Sequence, residues 1–107
     1  MKEIFKPNDK FIVTLNYHPQ EGKDDEFLAL WNKTIYQVAS GMGARIIAIY
    51  HKKDTDHYVA TGHFSSSGLA KKFLISSELR KATDKLNKIS SKPATCDLLK
   101  IIDEKAA

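Results

Sequence analysis

The sequence predicts an α+β domain in the order β-α-β-β-α-β, four antiparallel strands carrying helices on one face. Three observations predict it: four short stretches rich in β-branched and aromatic residues, two longer ones with apolar residues at helical spacing, and polar breaks between them. At 107 residues the chain suits one domain, 1–107, with its core in about 10–102.

Lys10 to His18 (KFIVTLNYH) has strand composition, and Pro19, Gln20, Glu21 and Gly22 break it. From Lys23 the period changes: Phe27, Leu28, Trp31, Ile35 and Val38 recur at helical spacing. Asp24, Asp25 and Glu26 sit where carboxylates favour the positive end of the helix dipole, and Gly41 and Gly43 suit the terminus. Ala44 to Lys52 and His57 to Phe64 read as strands joined by the short charged link Lys53–Asp56. Ser65, Ser66, Ser67 and Gly68 end the third strand and offer a helix cap. Leu69, Ala70, Phe73 and Leu74 form one apolar stripe and Leu79, Ala82, Leu86 and Ile89 another, so two helical pieces meet at Ser76 and Ser77, with Ser76 capping the second. Ser91, Lys92 and Pro93 stop it, and Thr95 to Ile102 is the fourth strand, followed by a frayed tail, Asp103 to Ala107.

This order is the split βαβ, ferredoxin-like arrangement. On the first strand Phe11, Val13, Leu15 and Tyr17 share one side, and Ile12 and Thr14 lie on the other, so both faces are substantially apolar. A two-layer domain with a second apolar sheet face should bury it against another subunit, which predicts a homodimer.

Composition narrows the function. Hydrophobic residues make up 42% and charged residues 28%, a globular balance. The net charge of +4 is too small to establish nucleic-acid binding, and the basic residues from Lys71 to Lys92 are spread round the helices. An RNA-recognition motif shares the element order, but its third-strand aromatic positions hold Thr61 and Val59 and its glycine position holds Tyr58. One cysteine, Cys96, excludes an internal disulfide and a thiolate zinc cluster; inside a strand it reads as a small apolar side chain. Met1 to Asp9 has no apolar signal core and no run approaches the roughly 18 apolar residues of a membrane span, which predicts a cytoplasmic protein with no membrane partner. No glycine-rich phosphate loop is present.

The chain resembles the antibiotic-biosynthesis-monooxygenase family over roughly Lys10 to Ile102. The resemblance is carried by the strand ending His18-Pro19, the helix bearing Phe27 and Trp31, and the run HFSSSGLAKKFLISSELRKATDKL from His63 to Leu86. It implies a dimeric α+β barrel. Its haem-degrading branch uses an Asn, a Trp and a His; Asn16 matches the first, but Phe64 and Thr83 stand near the other two positions, which argues against haem degradation. The activity implied is cofactor-independent oxidation of a phenolic, quinol or anthrone-like ring, with a small aromatic or apolar ligand as partner and no cofactor. The alternative is a non-catalytic ligand-binding or stress-related barrel.

Alternation puts Ile12, Thr14, Asn16 and His18 on one face, and the family match implies that this face looks toward the helices. On that expectation Asn16 hydrogen-bonds a substrate oxygen and His18 or His63, near strand ends, moves protons. If Phe64 faces the helices, so do Gly62, Ala60 and Tyr58. Gly62 and Ala60 leave a space that is either a pocket lined by Trp31, Tyr58, Phe64 and Phe73 or is filled by Trp31 and Phe73. His57 and His63 would lie roughly 20 Å apart at about 3.3 Å per residue, and His51 and His57 lack a third ligand, so no metal site is expected.

Overall fold

The computed structural model describes residues 10–105; Met1–Asp9 and the last two alanines of the tail lie outside the described residues. Strand β1 (Phe11–Pro19) leads into helices α1 (Asp24–Lys33) and α2 (Ile35–Gly41). Strands β2 (Arg45–His51) and β3 (Tyr58–Phe64) form a hairpin, followed by α3 (Ser67–Leu74), α4 (Ser77–Asn87) and β4 (Ser90–Lys100). The sheet order is β2-β3-β1-β4, every neighbouring pair antiparallel. This is the expected ferredoxin-like α+β architecture.

Local chemistry explains the boundaries. The first helix breaks at Thr34, whose hydroxyl donates to the Leu30 carbonyl at 2.7 Å and competes with the helical ladder. The Ser66 hydroxyl accepts from the Leu69 N–H, and Ser76 accepts from Leu79 at 3.1 Å; these capping bonds start α3 and α4. Strand β4 starts at Ser90, earlier than the expected Thr95, so Pro93 lies within a strand. Proline is tolerated there because β4 is an edge strand with a free N–H side. Strand β2, the other edge, carries an irregularity between Arg45 and Ala48, with Ile46 at φ +51°.

Val13, Leu15 and Tyr17 of β1, with Tyr58, Ala60 and Phe64 of β3, are buried toward the helices against Phe27, Trp31, Phe73 and Leu86. The expectation for β1 was inverted. Val13 and Leu15 form the core, and Asn16 and His18 lie on the opposite, outer face. The registers agree: Val13 pairs with Gly62 and Leu15 with Ala60, while Asn16 pairs with Val59. The physical reason is the greater bulk and apolarity of the Val13-Leu15-Tyr17 set, which displaces the set carrying an amide and an imidazole.

Candidate functional site between sheet and helices

Between the sheet and α1, α2 and α3, a cavity of about 20 Å³ is bounded by Ala60, Gly62 and Phe64 below and Trp31, Ile35 and Phe73 above. That is room for about one water. The space left by Ala60 and Gly62 is therefore largely filled, with the Phe64 and Phe73 rings tilted against each other at a centroid distance of 5.4 Å.

Beside it lies a larger cleft of about 160 Å³ between the β1/β4 half of the sheet and α4. Leu15 and Tyr17 come from β1, Cys96 from β4, and Leu79, Arg80 and Asp84 from α4. Leu79 is buried whereas Arg80, Asp84 and Cys96 are exposed, so an apolar floor meets a polar rim. Leu15 lines both spaces.

Tyr17 (1% exposed) and Trp31 (3%) place two polar atoms in the core. The two are neighbours: the Trp31 indole N–H lies against the Tyr17 oxygen at less than ideal hydrogen-bond geometry, and the Tyr17 O–H has no acceptor of standard geometry among the described residues. Burial pushes the Tyr17 pKa well above its ordinary value; the nearby indole opposes this in part and charge on Cys96 adds to it. Tyr17 is thus a hydrogen-bond donor at neutral pH and not a base. A buried O–H without an acceptor costs about 1–3 kcal/mol. Sequence reasoning overlooked Tyr17 because it placed β1 the other way up; the available signal was its position, in phase with Val13 and Leu15.

The residues expected to form one site are divided between the two faces. Trp31, Phe64 and Phe73 line the small cavity. Tyr58 also faces the helices, but its hydroxyl donates to Asp24 at 2.6 Å and its ring stacks on His51 at 4.3 Å; burial, then Asp24, raise its pKa to about 12. It lines neither space. Asn16, His18 and His63 are on the outer face, across the sheet from the cavity, contrary to the expectation that Asn16 and His18 look toward the helices. There His57 Nε2–H donates to Asn16 Oδ1 at 2.9 Å, the His18 and His57 rings stack at 4.7 Å, and His18 Nδ1 pairs with Asp56 at 3.2 Å. His63 is 7% exposed and pairs in register with Ile12 and Arg45. His51 and His57 flank the hairpin yet lie in different stacks, one on Tyr58 and the other on His18. Among the described residues no three His, Cys, Asp or Glu side chains gather to hold a metal, and no helix is long and apolar enough to cross a membrane.

No protein-family model matches the chain, and no curated protein matches its sequence. Solved structures do match. A monooxygenase of Streptomyces coelicolor, in complex with Nanaomycin D, superposes with a TM-score of 0.79 at 9% identity, covering 99% of both chains. A cofactor-independent oxygenase from Streptomyces nogalater gives 0.73 at 16% identity over 90% of this chain and 96% of that one. A Mycobacterium tuberculosis protein gives 0.72 at 17%, over 90% and 98%. The chain has the fold of the antibiotic-biosynthesis monooxygenases.

Proposed function

We propose that this protein binds a small flat phenolic, quinol or anthrone-like molecule in the cleft between β1, β4 and α4 and oxidises it with O₂ without a cofactor. The observation that carries this reading is a cleft of about 160 Å³ in which an apolar floor of Leu15, Tyr17 and Leu79 meets Arg80 and Asp84 at the rim. The fold shared with an oxygenase described as cofactor-independent supports it.

In this reading Tyr17 donates to the substrate oxygen and stabilises the negative charge that develops there once the ring carbon loses its proton. Asp84 at the rim takes that proton, and Arg80 beside it attracts an anionic substrate. The resulting carbanion reduces O₂; for an anthrone, the ring CH₂ becomes C=O and the second oxygen atom leaves as water. The apolar floor keeps bulk water from the anion. The protein acts as a homodimer through the outer sheet face, where Tyr50 (58% exposed) and Leu99 (50%) stand in rows with Val59 and Ile12.

A second reading, ligand binding without turnover, is favoured by the placement of Asn16, His18 and His63 on the far side of the sheet from the cleft. Oxygen uptake with an anthrone, paired with a fluorescence titration by 2-naphthol, separates the two. Oxygenase activity requires one O₂ per quinone formed, reduced in Tyr17→Phe. Saturable naphthol binding with no uptake above the buffer rate establishes the binder and overturns the oxygenase.

A further inference from the structure

The outer face of the sheet keeps its charge at the ends. In its middle Thr14 and Thr61 stand side by side, with Ala48 and Asp97 at the margins. Arg45 and His63 face each other at one end. At the other, His18 stands opposite Lys92, and the His57 ring stacks on His18 at 4.7 Å with 16° between the planes. Strands about 4.8 Å apart and seven to nine residues long give this face roughly 500 Å² before side-chain relief is counted. Two such faces pressed together reach the total of about 1,000 Å² that a stable pair of subunits needs.

Four titratable groups act on His57, one from each segment around it. His18 comes from β1, Lys52 from the end of β2, Asp56 from the hairpin link and Lys92 from β4. A single carboxylate thus stands among two ammonium groups and two imidazoles, and it is engaged by His18 Nδ1 at 3.2 Å. His57 Nε2–H is engaged by Asn16 Oδ1 at 2.9 Å. A second proton on the stack therefore has no carboxylate of its own among the described residues. Burial, and then the charge of His18, hold the His57 pKa below its ordinary value even in the single subunit. A second sheet laid over the face removes the water that would solvate an imidazolium and opposes its charge further.

We propose that the His18–His57 stack makes the homodimer acid-labile: protonating the stack drives the two sheets apart and releases folded subunits. The inference rests on the pairing through the outer face proposed above, and on neither the cleft nor turnover. A two-fold pair contains two stacks, and each brings positive charge into a surface from which water is excluded. The separated subunit binds more protons than the paired one, so dissociation is favoured as pH falls. The response falls in the range where imidazoles titrate, and the fold need not open for it to occur.

The test measures the dimer Kd of the full chain by analytical ultracentrifugation from about pH 7.5 to about pH 5.5, with near-ultraviolet circular dichroism on the same samples. The Kd should rise at least about tenfold toward the acid end while the aromatic signal of the folded subunit is kept. His57→Gln keeps an N–H for Asn16 and should cut the rise to less than about threefold. His18→Gln removes the other ring of the stack and should do the same. A Kd that ignores pH, a rise of wild-type size in both variants, or separation only as the aromatic signal is lost overturns the switch and leaves the dimer standing. A wild-type chain that is monomeric at about pH 7.5 and micromolar concentration overturns the dimer, and the switch with it.

Discussion

His57 Nε2 donates to Asn16 Oδ1 at 2.9 Å on the face of the sheet turned away from the helices. The amide of Asn16 is thereby engaged in holding the end of the β2–β3 hairpin to β1, with His18 stacked on His57 and tied to Asp56. A polar network of this kind fixes the hairpin against the central strand, and its members depend on one another.

Asn16→Leu removes the acceptor for His57. The expected loss is about 1 kcal/mol in urea unfolding, the worth of one part-buried hydrogen bond. Binding of 2-naphthol in the cleft should be unchanged, since the substitution lies across the sheet. Full stability with lost binding would put the binding site on the outer face instead.

The same cluster sets an acid response. Burial, and then the charge of His18, hold the His57 pKa below its ordinary 6.5. Between that lowered value and 6.5 the unfolded chain binds more protons than the folded one, so stability rises with pH through the window. The contribution is complete above the unfolded value and is lost as pH falls below it. The denaturation midpoint should therefore drop from about pH 7 to about pH 5, and His57→Gln, which keeps a donor for Asn16, should flatten the drop. A further fall should persist at lower pH in both proteins, because the hydrogen bond from His18 holds the Asp56 carboxyl below its ordinary 3.8 and that stability disappears as the carboxyl protonates.

Charge placed on the two faces of the sheet should have different effects. Leu15→Asp puts an unpaired carboxylate in the core and should abolish cooperative folding by circular dichroism. Tyr50→Asp, on the outer face, should leave the fold intact and convert a dimer to a monomer in light scattering. A wild-type monomer at micromolar concentration would remove the proposed pairing, which needs an interface above about 1,000 Å².

Tyr17→Phe deletes a hydroxyl whose O–H has no acceptor of standard geometry among the described residues and whose polar neighbour is the Trp31 indole. Its melting temperature should hold or rise, while naphthol affinity falls about tenfold, equivalent to about 1.4 kcal/mol. Loss of stability with unchanged affinity would make the hydroxyl structural.

Ser76→Ala removes the cap on α4 and should cost about 1 kcal/mol in urea unfolding. Because α4 forms one wall of the cleft, naphthol affinity should weaken with it.

The element order was readable because period and punctuation coincide: the change of period after Gly22, the charged hairpin link and the serine pair at Ser76 each mark a boundary that the backbone respects. Thr34 was not readable as a break, since a threonine hydroxyl bonding back to Leu30 leaves the apolar stripe of the helix unaltered. The early start of β4 was hidden by Pro93, which forbids a central strand but not an edge. Alternation sorted β1 into its two faces without saying which of them is up, and a reversed face moves every side chain to the wrong layer. Trp31, Phe64 and Phe73 lie off β1 and reach the cavity as their own spacing implies, whereas Asn16, His18 and Tyr17 on β1 exchange layers.

Both margins of the sheet are blunted. Pro93 deprives β4 of one outward N–H, and the kink at Ile46 bends β2 out of the regular ladder. A foreign strand finds neither side a continuous template, which protects the chain from runaway lateral polymerisation. Backbone pairing at the rim is thus closed to a second copy, and the proposed dimer is left the flat of the sheet, where side chains choose the partner.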